Sequence, residues 1–131
     1  MVIVDTSIWI EFFRVGNLPA LETALKAGAV ILSPIVAAEL LSAPLSRRNR
    51  KELISFLSDL PLHPTPLEHW IEVGELRSSL ARRGVTVSTP DAHVAQCARD
   101  AEALLWTRDN VFDLIAKKTS LRLFRPDEQP D

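Results

Sequence analysis

The sequence is short of cysteine, of long apolar runs and of net charge. Its single cysteine, Cys97, excludes an internal disulfide framework and a CxxC zinc site, so a reducing cytoplasm is the expected compartment. No apolar run approaches the roughly 18 to 20 residues that span a membrane, and the first residues do not follow the order of a signal peptide. We therefore expect no membrane segment, and the absence of linkers and repeats predicts one domain over residues 1–131.

The charge balance limits the kinds of partner. The formal net charge is −2, with 47% hydrophobic and 24% charged residues, which indicates a folded globular domain. This total excludes nucleic-acid binding by bulk charge. A local basic cluster is nevertheless present, and it is either a solvated helix start or an RNA contact: Arg47, Arg48, Arg50 and Lys51.

Short apolar runs alternate with amphipathic stretches along the chain. The apolar runs predict β-strands at 1–4, 29–32, 103–107 and 121–124. The amphipathic stretches, several of which open with a capping hydroxyl or a proline, predict helices that end near residues 14, 26, 41, 59, 83, 101 and 117. Because no hairpin dipeptide joins the strands, this alternation predicts a parallel α/β sheet covered on both faces. Residues 125–131 are expected to form a polar tail that frays.

The first fourteen residues combine a fold signal with a chemical one. Asp5 ends the strand at 1–4, and Thr6 and Ser7 are available to cap the helix that follows. A carboxylate at the carboxyl end of a buried strand lies where open α/β sheets place their ligands. The helix also carries an aromatic face, which either packs in the core or meets a partner, formed by Trp9, Phe12 and Phe13.

Two more aspartates can reach the same edge of the sheet. Asp109 follows the strand at 103–107, and Asp91 lies in the first turn of a helix whose incoming loop can reach that edge. Taken alone, Asp5 and Asp109 are explained as helix caps, and Asp91 as compensation of the helix dipole. These aspartates would share a chemical role only if the fold brought their side chains together at this edge of the sheet.

Glu39 has no local explanation. It lies about six residues past its helix cap, beyond the single turn over which the helix dipole acts. It shares a helix face with Ile35, Val36 and Leu40, and a carboxylate on an apolar face needs a cation, a hydrogen-bonding network or a raised pKa. A buried pair with an arginine would satisfy it, and so would a pocket shared with the aspartates.

Four converging carboxylates would require a counterion. Two of them about 4 Å apart repel by about 4 kcal/mol at an effective dielectric constant near 20. A divalent cation removes that cost, and an all-oxygen donor set without a thiolate or a histidine set suits Mg²⁺ or Mn²⁺. One or two such ions would activate water for in-line cleavage. The chemistry indicated is metal-assisted hydrolysis of a phosphate ester.

Four short motifs carry these acids in order along the chain. They are Val4-Asp5-Thr6-Ser7-Ile8-Trp9, Val36-Ala37-Ala38-Glu39-Leu40-Leu41, Thr89-Pro90-Asp91-Ala92-His93-Val94-Ala95, and Thr107-Arg108-Asp109 with Phe112 after it. In this order and at this chain length they resemble the PIN domain, and in particular the VapC-type toxin ribonucleases of toxin–antitoxin pairs. The resemblance covers residues 1–124, nearly the whole chain.

The resemblance implies a fold, a site and partners. The fold is a three-layer α/β/α sandwich with a central parallel sheet. The implied Mg²⁺ ligands, direct or through water, are Asp5, Glu39, Asp91 and, as an assisting acid, Asp109. The residues implied to hydrogen-bond these carboxylates are Thr6 or Ser7 and Thr107. The implied activity is hydrolysis of RNA by a homodimer, inhibited by a cognate antitoxin protein bound across the first helices.

This chain departs from the family pattern at two positions. Asn110 stands where many members have another acid, which bears on the contribution of Asp109. His93 stands where an apolar residue is commoner, which bears on helix packing near Asp91.

Other interpretations compete with the metal-dependent nuclease. Two of the three histidines, at positions 63, 69 and 93, could cleave RNA without metal as an acid/base pair, but no spacing pairs any two of them. His93 and Cys97 share a helical face, but two ligands do not make a zinc site. The chain could also be a catalytically silent RNA- or protein-binding module, or a Mg²⁺-dependent phosphohydrolase, although it lacks an Asp-x-Asp nucleophile after the first strand.

Overall fold

The computed structural model describes residues 1–126, which form three strands and seven helices. The strands are β1 (Val2–Val4), β2 (Val30–Ile31) and β3 (Leu104–Trp106). The helices are α1 (Thr6–Val15), α2 (Pro19–Lys26), α3 (Pro34–Leu41), α4 (Arg47–Ser58), α5 (Leu67–Arg82), α6 (Thr89–Asp100) and α7 (Val111–Lys118). Each helix predicted from the sequence is present and ends within one residue of the predicted position. In this part of the chain, every helix is too short or too polar to cross a bilayer.

The strands form one parallel sheet in the order β2-β1-β3. Val2 pairs with Val30 on one side of β1 and with Leu104 on the other. The three consecutive residues of β1 are all buried, and because successive side chains point to opposite faces, both faces of the sheet are covered. Helix α6 packs against β1 and β3. The predicted α/β sandwich around a parallel sheet is confirmed.

Serine caps start three of the helices, as their sequences predict. The hydroxyl of Ser33 accepts the Val36 N–H at 3.4 Å, that of Ser46 accepts the Asn49 N–H at 3.0 Å, and that of Ser88 accepts the Asp91 N–H at 3.2 Å.

Helix α1 starts differently from the prediction. It begins at Thr6 with Asp5 in the capping position, so the prediction that Thr6 and Ser7 cap this helix was wrong. No side-chain cap hydrogen bond is made there. The Asp5 carboxylate instead accepts hydrogen bonds from the side chains of Ser7 and Thr107.

The end of the described chain also differs from the prediction. The strand expected at 121–124 is reduced to a single bridge between Leu105 and Leu123, held by the N–H of Phe124 donating to the carbonyl of Leu105 at 2.8 Å. The guanidinium of Arg125 pairs with Asp113 and donates to the carbonyl of Thr107 at 3.4 Å. The rest of the predicted tail, 127–131, lies outside the described residues.

Candidate active site

Four carboxylates from separate parts of the sequence face one another at the carboxyl edge of the sheet. Asp5 lies between β1 and α1, and Asp109 lies between β3 and α7. Asp91 is in the first turn of α6, and Glu39 is in α3. Electrostatic repulsion links Asp5 to the other three and links Asp91 to Glu39 and Asp109. The fold therefore brings all four predicted acids together.

Asp5 is the most buried of the four acids, with 9% of its surface exposed. Its Oδ2 accepts a hydrogen bond from Thr107 Oγ1 at 2.8 Å and a longer one from Ser7 Oγ at 3.4 Å. Burial raises the pKa of Asp5 above its ordinary value, and the hydrogen bond from Thr107 opposes that rise. The charges of Asp91 and Asp109 raise the same pKa further.

Glu39 is exposed at the rim of this site and not buried on an apolar face. Its neighbours Val36 and Leu40 enter the core, whereas the Glu39 side chain remains in contact with solvent. Its Oε1 accepts a hydrogen bond from Thr6 Oγ1 at 3.3 Å. Partial desolvation and the charge of Asp5 raise the pKa of Glu39. The hydrogen bond and the neighbouring acids, and not a buried arginine, account for this carboxylate.

The other two acids of the group, Asp91 and Asp109, lie at the starts of helices α6 and α7. Burial raises the pKa of Asp91, and the charge of Asp109 adds to that effect. Asp109 Oδ1 accepts the N–H of Val111, the first residue of α7, at 3.1 Å, but the capping position itself is occupied by Asn110 and not by Asp109. The N–H of Asp109 donates to Thr107 Oγ1 at 3.0 Å. Thr107 therefore joins Asp5 and Asp109 through one hydroxyl.

The donor chemistry of this edge fits a hard divalent cation. The charges that shift the pKa values of Asp5, Glu39 and Asp91 are all carboxylates. Carboxylate oxygens within range of one another's unfavourable charge match what Mg²⁺ and Mn²⁺ prefer in proteins. A bound cation would offset a repulsion that the described side chains leave in place.

Sequence analysis assigned no role to Arg108, which lies beside the site. Its guanidinium pairs with Glu11 at 3.0 Å, and its backbone N–H donates to Ser7 Oγ at 3.1 Å. A cavity of about 530 Å³ opens beside this pair, with Ser7, Arg14 and Arg108 among its lining residues. Arg108 belongs to the motif Thr107-Arg108-Asp109. Its position next to Asp109 could have indicated that it lies beside the site.

The three histidines lie together, contrary to the sequence analysis, which found no spacing that pairs them. His69 Nε2 is 2.8 Å from His93 Nδ1, and the rings of His63 and His69 are 5.6 Å apart. The charges acting on Asp5, Glu39 and Asp91 include none from these rings. The histidines therefore form a separate buried group and are not part of the acidic site.

The basic cluster that opens α4 is exposed. Arg48 pairs with Glu52 one helical turn away at 3.1 Å, with 87% and 63% of the two side chains exposed. Both a solvated helix start and an RNA contact would have this exposure.

Comparison with known proteins assigns the family. The model of the PIN domain matches residues 2–118. The chain belongs to the PIN domain family. It is 30% identical over 129 residues to VapC ribonuclease Mb1587 of Mycobacterium bovis and to ribonuclease VapC11 of Mycobacterium tuberculosis, with 93% of this chain and 96% of each relative aligned.

Solved structures of PIN-domain toxins share the fold. VapBC2 from Rickettsia felis, bound to a DNA fragment from its promoter, superposes with a TM-score of 0.77 at 22% identity and covers 95% of this chain and 98% of the matched chain. DNA-bound VapBC from Salmonella typhimurium gives a TM-score of 0.76 at 22% identity, with 94% and 96% covered. The sandwich described above is therefore the fold of these toxins.

Asp5→Asn should raise the unfolding temperature of the metal-free protein at pH 7. A pKa raised by folding means that the folded state holds the proton more tightly than the unfolded chain, so an ionised Asp5 disfavours the fold above that pKa. The advantage of the variant should shrink as the pH falls through the raised pKa, because the wild-type carboxyl then becomes neutral. Thermal melts monitored by circular dichroism, without added metal, measure the difference.

Asp59→Asn is the matched control, because Asp59 is exposed at the end of α4 and outside the acidic group. It should leave the unfolding temperature unchanged across the same pH range. A lower unfolding temperature for Asp5→Asn at pH 7 would mean that the carboxylate stabilises the metal-free fold, and the repulsion argued here would be wrong.

Proposed function

We propose that this protein is a metal-dependent endoribonuclease that acts in the cytoplasm as the toxin of a type II toxin–antitoxin pair. In this proposal Mg²⁺, or Mn²⁺ in its place, binds to the acidic group formed by Asp5, Glu39, Asp91 and Asp109. The observation that carries the proposal is that the pKa values of Asp5, Glu39 and Asp91 are each raised by the charge of another acid of this group, so that their site favours a cation.

The roles of the individual residues follow from their contacts. When bound, the cation would lower the pKa of a water molecule and offset negative charge on the phosphate being cleaved. Asp5, buried and hydrogen-bonded by Thr107, is the ligand with the most fixed position. Glu39, exposed and held by Thr6, can adjust to the cation and its waters. Ser7 keeps the start of α1 against the loop after β3 through the Arg108 N–H.

The relatives supply the substrate and partner classes for this proposal. The mycobacterial proteins are named ribonucleases, and the neighbours from Rickettsia and Salmonella are VapBC complexes bound to DNA. We therefore assign RNA as the substrate, an antitoxin protein as the inhibitor, and a homodimer as the assembly. DNA would be bound through the antitoxin, since a net charge of −2 does not suit this chain to bind DNA by bulk charge.

An apolar surface on the first helices is suited to the antitoxin. The aromatic face of α1 serves two roles, because Trp9 is fully buried whereas Phe13 is 45% exposed. Phe13 packs edge-on against Phe56 of α4 with ring centres 5.9 Å apart, so α1 and α4 share this surface. Ile10, one helical turn before Phe13 on α1, adds further exposed apolar area. Such a patch is typical of a protein-binding site.

The purified protein should degrade single-stranded RNA with Mg²⁺ or Mn²⁺ and stop when EDTA is added. Asp5→Asn and Glu39→Gln should each reduce cleavage to background, because each removes one of the charges that attracts the cation. Glu52→Gln is the matched control, since Glu52 is exposed and pairs only along α4 with Arg48. Gel assays of a labelled RNA measure cleavage.

Three outcomes would each contradict the proposal of a metal-dependent ribonuclease. Cleavage that survives EDTA would indicate metal-free chemistry. RNA binding without cleavage, in protein with intact acids, would indicate a silent binding module. Release of phosphate from small phosphate esters, with RNA left intact, would indicate a phosphohydrolase.

Thr107→Val should lower the nuclease rate by about 10- to 100-fold, the usual effect of removing a group that orients a metal ligand. The change removes the hydroxyl that donates to Asp5 and accepts from the Asp109 N–H. Thr107→Ser keeps that hydroxyl and should keep most of the activity. Rates measured at saturating Mg²⁺ compare the variants, and equal rates for Val and Ser would remove the positioning role from Thr107.

Phe13→Asp should prevent stable binding of the antitoxin while leaving RNA cleavage intact. The aspartate places a charge in the centre of the apolar surface, which a partner would have to desolvate. Leu114→Asp is the matched control, because Leu114 is 47% exposed on α7 instead. Co-purification with the small protein encoded by the adjacent reading frame measures binding. Retention of that partner by Phe13→Asp would place the antitoxin on another surface.

A further inference from the structure

A second polar group lies inside the fold, apart from the acids. It consists of four side chains, which we name the imidazole cluster: His63, His69, His93 and Cys97. His63 is in the segment between α4 and α5, His69 is on α5, and His93 and Cys97 are on α6. Between 0% and 9% of each residue is exposed. Three imidazoles and a thiol are an unusual content for a core otherwise built from aliphatic and aromatic side chains.

Hydrogen bonds across this cluster run in one direction. Asp100 Oδ2 lies 3.1 Å from His69 Nδ1, and His69 Nε2 lies 2.8 Å from His93 Nδ1. His93 Nε2 in turn lies 2.8 Å from Ser33 Oγ, which accepts the Val36 N–H. Because a backbone N–H can only donate and an ionised carboxylate can only accept, the proton on each ring is fixed. His69 carries its proton on Nδ1, and its Nε2 presents a lone pair to the cluster.

The same surroundings favour the uncharged forms of His63, His93 and Cys97. Burial, then the neighbouring His69 and His63, lower the pKa of His93 to about 4. Burial and the neighbouring His69 also lower the pKa of His63. Burial raises the pKa of the Cys97 thiol to about 12. Neutral imidazoles are the form of histidine that binds transition metals.

We propose that the imidazole cluster is a binding site for a zinc-type divalent cation, distinct from the acidic site. Tetrahedral Zn²⁺ sites have Zn–N distances of about 2.0–2.1 Å and Zn–S distances of about 2.3 Å, which separate two nitrogens by about 3.3 Å and a nitrogen from a sulfur by about 3.6 Å. Here His69 Nε2 and His93 Nδ1 are 2.8 Å apart, and each is 4.0 Å from Cys97 Sγ. Shifts of about 0.5 Å would give the tetrahedral spacing.

His63 forms a group of three close donors with His69 and Cys97, and His93 adjoins that group through His69 and Cys97. One ring nitrogen of His63, one of His69 and the sulfur of Cys97 all lie within 4.8 Å of one another. Four protein donors close a tetrahedral site, which is the pattern of structural zinc and not of catalytic zinc. The cation would then link the segment before α5 to α5 and α6 and stabilise their packing.

Asp100 is the positioning residue for this site. Its Oδ2 accepts from His69 Nδ1 at 3.1 Å, and its Oδ1 accepts from Gln96 Nε2 at 2.8 Å. A carboxylate behind a histidine in this way fixes the ring and strengthens its other nitrogen as a ligand. Trp70 stacks on the ring of His93 with centres 4.9 Å apart and covers one side of the cluster.

Binding of the cation requires two proton movements. The His93 proton moves from Nδ1 to Nε2, where it is donated to Ser33 Oγ, and the Ser33 hydroxyl turns its own proton towards the Cys97 sulfur, so that Nδ1 becomes free to bind. Cys97 loses its thiol proton to solvent, and the thiolate binds the metal. No oxidation or reduction occurs, and one proton is released for each cation bound.

Titration of the full-length protein with Co²⁺ tests the proposal, using Asp5→Asn as the background so that the acidic site contributes little. We expect one equivalent of Co²⁺ to give the intense visible bands of a tetrahedral ion and a near-ultraviolet thiolate charge-transfer band. Zn²⁺ should displace it, whereas excess Mg²⁺ should not, because a hard cation does not prefer nitrogen and sulfur donors. Zinc X-ray absorption of the loaded protein should show a sulfur neighbour at about 2.3 Å.

Variants separate a metal site from a hydrogen-bonded core network. Cys97→Ser should lose the charge-transfer band and the sulfur neighbour, and His63→Gln should weaken Zn²⁺ binding. Asp100→Asn should weaken Zn²⁺ binding by about 10- to 100-fold while keeping the thiolate band. Glu52→Gln is the control outside both the cluster and the acidic group, and it should change neither the band nor the affinity.

If a cluster variant does not fold, the Co²⁺ spectrum of the Asp5→Asn protein alone still tests the proposal. Folded background protein without a thiolate band, or with a band that persists in Cys97→Ser, would overturn the proposal and leave the cluster as a hydrogen-bonded network. Nuclease activity is not a readout here, so loss of the proposed function at the acids would not affect the result.

Discussion

The hydrogen bond between Thr107 and Asp5 joins the fold to its chemistry. It links the ends of β1 and β3, residues 102 apart in sequence, at 2.8 Å. Without such donors, a carboxylate with 9% exposure beside other carboxylates would have little to favour its charged form. The bond offsets part of that cost but not all, since the pKa of Asp5 remains raised. The part of that cost which the hydrogen bond does not offset favours the binding of a cation at this edge of the sheet.

Helix α6 takes part in two polar groups of opposite chemical character. Asp91, in its first turn, faces the other acids, whereas His93 lies two residues later in the core. Residues two apart on a helix do not share a face, so one helix can serve both groups without bringing their ligands together. Oxygen donors at the sheet edge suit Mg²⁺, and nitrogen and sulfur donors between α5 and α6 suit zinc-type ions. If both proposals hold, this separation gives each group its own cation preference.

The fold tolerates wide changes in sequence because its requirements are general. The Rickettsia and Salmonella structures superpose with TM-scores of 0.77 and 0.76 although only 22% of residues are identical. Buried strands require apolar side chains on both faces, and three of the helix starts use a side chain that accepts a hydrogen bond, but neither feature requires one particular residue. His93 illustrates this freedom, because a core position on α6 accepts an imidazole once Ser33 and His69 provide its hydrogen bonds.

Local sequence patterns determined most of the secondary structure of this protein. Apolar runs, serine caps and prolines predicted the helices and the parallel sheet, because those signals act over a few residues. Glu39 was identified as unusual because no local role explained it. The tertiary structure alone decided that Glu39 stays exposed beside Asp5, that 121–124 forms one bridge and not a strand, and that the three histidines meet Cys97. These contacts join residues far apart in sequence, and packing fixes them, so spacing along the chain could not reveal them.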